Sequence, residues 1–149
     1  MAEILFYHLT ERTLEQVLPG LIEKCRERGW RATIQAGSRE RLEALDAHLW
    51  TWRDDSFLPH SMTVDGNEAM QPVWLTTGDD NPNRAEVRFL VDGAAAGDLS
   101  AYLRAVFVFD GHAAEALAGA RAAWTSLKSQ GHAVTYWRQN ADGRWEKQA

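Results

Sequence analysis

Residues 4–36, ILFYHLTERTLEQVLPGLIEKCRERGWRATIQA, decide the fold. Ile4 to Leu9 is an apolar and aromatic run of strand length, and Thr13 followed by Gln16 is the capping box that starts a helix. Leu14, Val17, Leu18, Leu21, Ile22 and Cys25 recur at spacings of three and four, so one stripe is buried while Glu15, Glu23, Lys24 and Glu27 face water. Pro19 and Gly20 predict a kink in this helix. Gly29 ends it, and Trp30 to Ala36 alternates Ala32, Ile34 and Ala36 against Arg31, Thr33 and Gln35, the period of a strand. Strand, helix and strand in so short a stretch open a parallel sheet.

Outward from this unit the pattern repeats. Ser38 caps a second helix that turns Leu42, Leu45 and Leu49 inward and ends near Trp50. Thr51 to Pro72 has no period and reads as a long loop carrying Trp52, Phe57, Leu58, Met62 and Met70. Val73 to Thr77 and Glu86 to Asp92 read as strands around the turn Gly78 to Asn83. Tyr102 to Asp110 is an apolar strand, and His112 to Gln130 an alanine-rich helix with Leu117, Ala120, Trp124 and Leu127 on one stripe, stopped by Gly131. Thr135 to Gln139 is expected as a final edge strand. The expectation is one α/β domain over residues 1–149, a Rossmann-like three-layer sandwich with a mainly parallel sheet and helices on both faces, in which residues from about 135 to 149 form the edge strand and a polar tail.

The composition excludes several classes. With 149 residues, 45% apolar and 25% charged, the chain has the make-up of an ordinary folded domain rather than a disordered one. Its net charge of -5 and the absence of any long basic run argue against a broad DNA-neutralising surface. A single cysteine, Cys25, excludes an internal disulfide and a Cys-x-x-Cys pair, which fits a reducing cytoplasm. Met1 to Ile4 does not open like a signal peptide, and charges interrupt every apolar window before membrane-spanning length, so no membrane contact is expected.

Catalytic chemistry has no visible carrier. The first strand leads to its helix through His8, Leu9, Thr10, Glu11 and Arg12, with neither Gly-x-Gly-x-x-Gly nor a phosphate-binding Gly-x-x-x-x-Gly-Lys-Ser/Thr loop anywhere, so no dinucleotide cofactor is expected. His8, His48, His60, His112 and His132 lie far apart, and His112 with Glu115 reads as a solvated helix start rather than a metal site. Cys25 falls on the buried stripe as a structural thiol. Asp54 with Asp55, and Asp79 with Asp80, read as turn residues.

Seven tryptophans in an acidic chain are an unusual loading of a residue favoured at interfaces. Trp30 and Trp74 sit in strand-like runs and are expected inside. The Trp50 to Pro59 stretch either folds back over its own aromatics or docks on a partner. In the last helix Arg121, Thr125 and Lys128 share a face with Trp124 at its border. That face is either simply solvated or captures an acidic peptide.

At these residues the sequence resembles the chi subunit family of bacterial DNA polymerase III. The likeness runs through Phe6 and Tyr7, Gly29 to Arg31, Leu42 to Trp50, Ser56 to His60, and Arg121 to Gly131 after Phe109 and Asp110. It implies a non-catalytic accessory protein of the clamp-loader assembly, with no cofactor, working in the bacterial cytoplasm at the replisome. Such proteins pair with the psi subunit, which ties them to the clamp loader, and bind the acidic C-terminal tail of single-stranded DNA-binding protein, so DNA is reached only indirectly. By the resemblance, Trp50, Trp52, Phe57, Leu58 and Pro59 form the psi-facing side, and Arg121, Trp124, Thr125 and Lys128 the tail-binding side. Thr125 departs from the pattern, which is basic there, and Lys128 one turn on supplies a charge. Two other classes remain: an α/β enzyme or nucleotide binder with a site built from loops at the C-terminal strand ends, including Gly78 to Asn83, and direct DNA binding through aromatic stacking.

Overall fold

The computed structural model describes residues 3–10, 12–51, 73–78, 84–91, 94, 99, 102–142 and 144–148. In chain order these form β1 (Glu3–Leu9), α1 (Leu14–Glu27), β2 (Ala32–Gln35), α2 (Arg39–Thr51), β3 (Val73–Thr76), β4 (Val87–Val91), β5 (Arg104–Asp110), α3 (Ala114–Ser129), β6 (Ala133–Gln139) and β7 (Trp145–Lys147). The strands make one sheet in the order β3-β2-β4-β5-β1-β6-β7. Every pairing is parallel except the last, in which β7 runs antiparallel to β6. The chain thus has the α/β Rossmann-like architecture expected.

Local signals made the helix ends. The Thr13 hydroxyl accepts from the Gln16 N–H at 3.3 Å while the Gln16 side chain accepts from the Thr13 N–H at 2.9 Å, closing the capping box. Ser38 caps α2 by accepting the Arg41 N–H at 3.3 Å. Gly29, at φ 75°, turns the chain out of α1 so that the Trp30 N–H reaches the Cys25 carbonyl at 2.9 Å. α1 continues through Pro19 from Leu14 to Glu27. Proline has no N–H for the Glu15 carbonyl, and His48 Nε2, from α2, donates to that oxygen at 2.6 Å instead.

The two faces of the sheet carry different layers. Leu14, Leu18, Ile22 and Cys25 of α1 and Leu42 and Leu45 of α2 pack on Leu5, Leu9, Ile34, Leu75, Phe89, Val106 and Val108. On the other face Ala120 and Leu127 of α3 pack on Ile4, Phe6, Leu90, Phe107 and Phe109. Trp74 is buried as expected, whereas Trp30 is half-buried, packed against the margin of the core with Arg28 and Arg104 over its ring. A second correction concerns the end of the chain. The strand expected at the edge, Thr135 to Gln139, belongs to β6, which lies inside the sheet beside β1, and β7 forms the edge.

Candidate functional site

The last helix builds its face from simple ingredients. Its alanines favour helix, Glu115 and Lys128 stand at the ends that suit their charges, and Gly131, at φ 88°, ends it with the His132 N–H on the Leu127 carbonyl at 3.3 Å. Ala120 and Leu127 are buried, which leaves Arg121, Thr125 and Lys128 exposed and Trp124 half-buried between.

Trp124 is held by an aromatic cluster. Its ring meets Phe6 edge-on at 5.8 Å and Tyr136 of β6 at 5.9 Å between centroids. Lys128 Nζ lies 5.5 Å from the Trp124 centroid, within cation–π range. The Thr125 hydroxyl donates to the Arg121 carbonyl at 3.1 Å, so it turns back onto the helix. Tyr136 was not singled out in the sequence. Its hydroxyl is 2.5 Å from His8 Nδ1, and burial followed by the charges of Arg138, His112 and Arg121 pushes the His8 pKa below its ordinary value. Burial also raises the Tyr136 pKa, against the opposing pull of Arg121 and Arg138. Both arginines therefore lie within electrostatic reach of one His8–Tyr136 pair. The result is an aromatic floor, Trp124 and Tyr136, flanked by Arg121, Lys128 and Arg138. Alternation along β6 puts Val134, Tyr136 and Arg138 on one side of the sheet, the only sequence signal that could have found them.

Beneath this face the packing is tight at one glycine. A Cβ at Gly111 would stand 1.9 Å from His8 Nε2 and 2.9 Å from the Leu9 carbonyl oxygen, so no larger residue fits with His8 in place.

The other candidate place is the crevice where β1 and β5 end side by side and their helices depart to opposite faces, the position at which open α/β sheets bind ligands. A cleft of about 1200 Å³ lies here, with Thr10, Arg12, Thr13, Asp110 and His112 among its lining. Backbone donors of the loop between β1 and α1 are engaged by the protein itself. The Gln139 side-chain oxygen accepts both the Thr10 and the Arg12 N–H at 3.1 Å, and the capping box takes those of Thr13 and Gln16. His112 Nε2 donates to the Thr10 carbonyl at 2.8 Å and closes the two loops on each other. Among the described residues no cluster of three His, Cys, Asp or Glu side chains could hold a metal, and no helix is long and apolar enough to cross a membrane.

Trp50 falls in the last turn of α2, while Trp52, Phe57, Leu58 and Pro59 lie outside the described residues, as does the Asp79 to Asn83 part of the acidic turn.

Comparison with known proteins places the chain. It is 30% identical over 91 residues to a Rickettsia prowazekii (strain Madrid E) protein named "Probable DNA polymerase III subunit chi", covering 61% of this chain and 55% of that one. It is 31% identical over 72 residues to the "DNA polymerase III subunit chi" of Pseudomonas aeruginosa PAO1, covering 48% of this chain and 49% of the relative. The chain thus matches about half the length of each relative. The family profile described as "DNA polymerase III chi subunit, HolC" matches residues 1–135, and the chain belongs to that family.

Proposed function

We propose that this protein is a non-catalytic accessory subunit of DNA polymerase III that acts as a protein–protein adaptor at the bacterial replisome. The α3–β6 face binds the acidic C-terminal tail of single-stranded DNA-binding protein. The Trp50 to Pro59 segment binds the psi subunit and, through it, the clamp loader, so DNA is reached through partners. The observation that carries this reading is the grouping of Arg121, Lys128 and Arg138 around the Trp124–Tyr136 floor in a chain of net charge -5. Guanidinium forks suit carboxylates, and the half-buried indole offers an apolar contact for the tail's last residue. Thr125 is committed to the helix backbone, so the charge comes from Lys128 and Arg138.

Fluorescence anisotropy of a labelled peptide ending in Asp-Ile-Pro-Phe tests it at two salt concentrations. Arg121→Ala is expected to weaken binding by roughly 1.5 to 3 kcal/mol, the worth of a charge-assisted bond. Salt should weaken the wild type more than the variant. Trp50→Ala is expected to lower co-purification with psi and leave the peptide affinity unchanged. Equal damage to both partners by both substitutions would sink the two-surface reading.

The rival reading, a nucleotide held by the loop between β1 and α1, is disfavoured by the Gln139 contacts, which occupy the Thr10 and Arg12 N–H groups that a phosphate there would need.

A further inference from the structure

On the opposite face of the sheet from Trp124 there is a pocket of about 160 Å³ that none of the proposed contacts uses. Tyr7, Val87, Phe89 and Val106 form its floor, Lys24, Cys25 and Arg28 enter from the end of α1, and Trp30, Arg104 and Trp145 complete the wall. Three cations therefore converge on one small space. The guanidinium carbons of Arg28 and Arg104 lie 5.0 and 5.4 Å from the centroid of the same Trp30 ring. Stacking on an indole fixes a guanidinium plane and leaves its N–H edge free to donate.

The acidic partners do not match these charges. Arg104 Nη2 meets Glu3 Oε2 at 3.5 Å, a long and half-exposed contact. Arg104 Nε is buried and has no acceptor among the described residues. The side chains of Lys24 and Arg28 make no hydrogen bond or ion pair among the described residues. Glu86, the other carboxylate within electrostatic reach, gives one oxygen to the Arg31 N–H at 3.2 Å. A buried donor without an acceptor is costly, and like charges beside a low-dielectric wall repel one another more than they would in water.

We infer that this pocket is an oxyanion site that takes the phosphate or carboxylate end of a small ligand, with Arg104 as the fork and Arg28 and Lys24 as the flanking charges. The two Nη groups of a stacked arginine span two oxygens of either group, while Nε, which solvent does not reach, is not among the donors. The volume admits an anionic group on a short stem and is too small for a folded peptide or a nucleic-acid strand. The site shares no residue with the α3–β6 face, so the two stand or fall separately.

The test is an NMR titration of the whole protein with inorganic phosphate and, separately, with acetate at constant ionic strength, following the Trp30 and Trp145 indole and Arg104 Nε–H resonances. The expected result is a saturable shift of these signals with at least one anion, phosphate alone marking a phosphate ligand and acetate alone a carboxylate. Arg104→Gln is expected to weaken binding by roughly tenfold or more, and Lys24→Gln, at an exposed helix position, by several-fold. Unsaturating drift with both anions would overturn the assignment, as would affinities that neither substitution changes. If Arg104→Gln does not fold, Lys24→Gln alone decides.

Discussion

His8 shows how one residue couples stability to pH. It is buried, bonded to the Tyr136 hydroxyl and closed in by Gly111, and its pKa is held below 6.5 chiefly by burial and then by neighbouring cations. As pH falls below about 6.5 the unfolded chain takes up a proton that the native His8 refuses, so stability declines as acid is approached. Glu15 adds a second stage. Burial raises its carboxyl, but the Arg41 hydrogen bond and charge outweigh that and leave it below 4.5. Its contribution is intact above 4.5 and is lost as pH falls through the depressed native value. Urea-unfolding midpoints are thus expected to hold between about pH 7 and 8 and then fall in two stages, with His8→Asn flattening the upper one. A midpoint flat from neutrality down to about pH 5 would contradict the role of His8. At this scale the caps at Thr13 and Ser38 were legible because their partners are three residues away. The His8–Tyr136 pair was not, because 128 residues separate the two.

α1 is the amphipathic helix its spacing predicts, and its proline has a consequence that spacing does not reveal. The helix continues through Pro19, and the carbonyl that the proline leaves without a donor becomes a tie to α2 through His48, beside the Glu15–Arg41 ion pair. His48→Leu is expected to cost about 1 to 2 kcal/mol in urea unfolding, because a partly buried carbonyl loses its donor. In a Pro19→Ala background residue 19 can donate to Glu15 itself, so the same His48 change should cost less. Strict additivity of the two substitutions would refute the tie. Hydrophobic spacing reveals which side of a helix is buried, but not which neighbour fills a missing bond. α3 repeats the lesson. The shared face of Arg121, Thr125 and Lys128 was legible from the spacing, whereas Tyr136 and Arg138 join it only because β6 lies where it does.

Across the whole molecule the largest difference from the expectation is at the C-terminal end of the sheet. β7 extends it by a strand, and Trp145 lays its ring on Tyr7 with 4.5 Å between centroids. Trp145→Ala is expected to lower stability by about 1 to 2 kcal/mol through lost aromatic packing, seen as a lower melting temperature and faster amide exchange in β6. Unchanged exchange in β6 would mean that β7 is dispensable. The sequence by itself determined the element types up to β6, the helix caps, the two-layered core and the basic face of α3, because each rests on contacts or periodicities within a few residues. Only the tertiary structure decided the strand order, the inner place of β6, the pairing of Tyr136 with His8, the capture of the Thr10 and Arg12 N–H groups by Gln139, and the convergence of Arg28 and Arg104 on Trp30. Those depend on backbone pairings between distant segments, whose register is set by how the whole sheet packs and not by any local pattern.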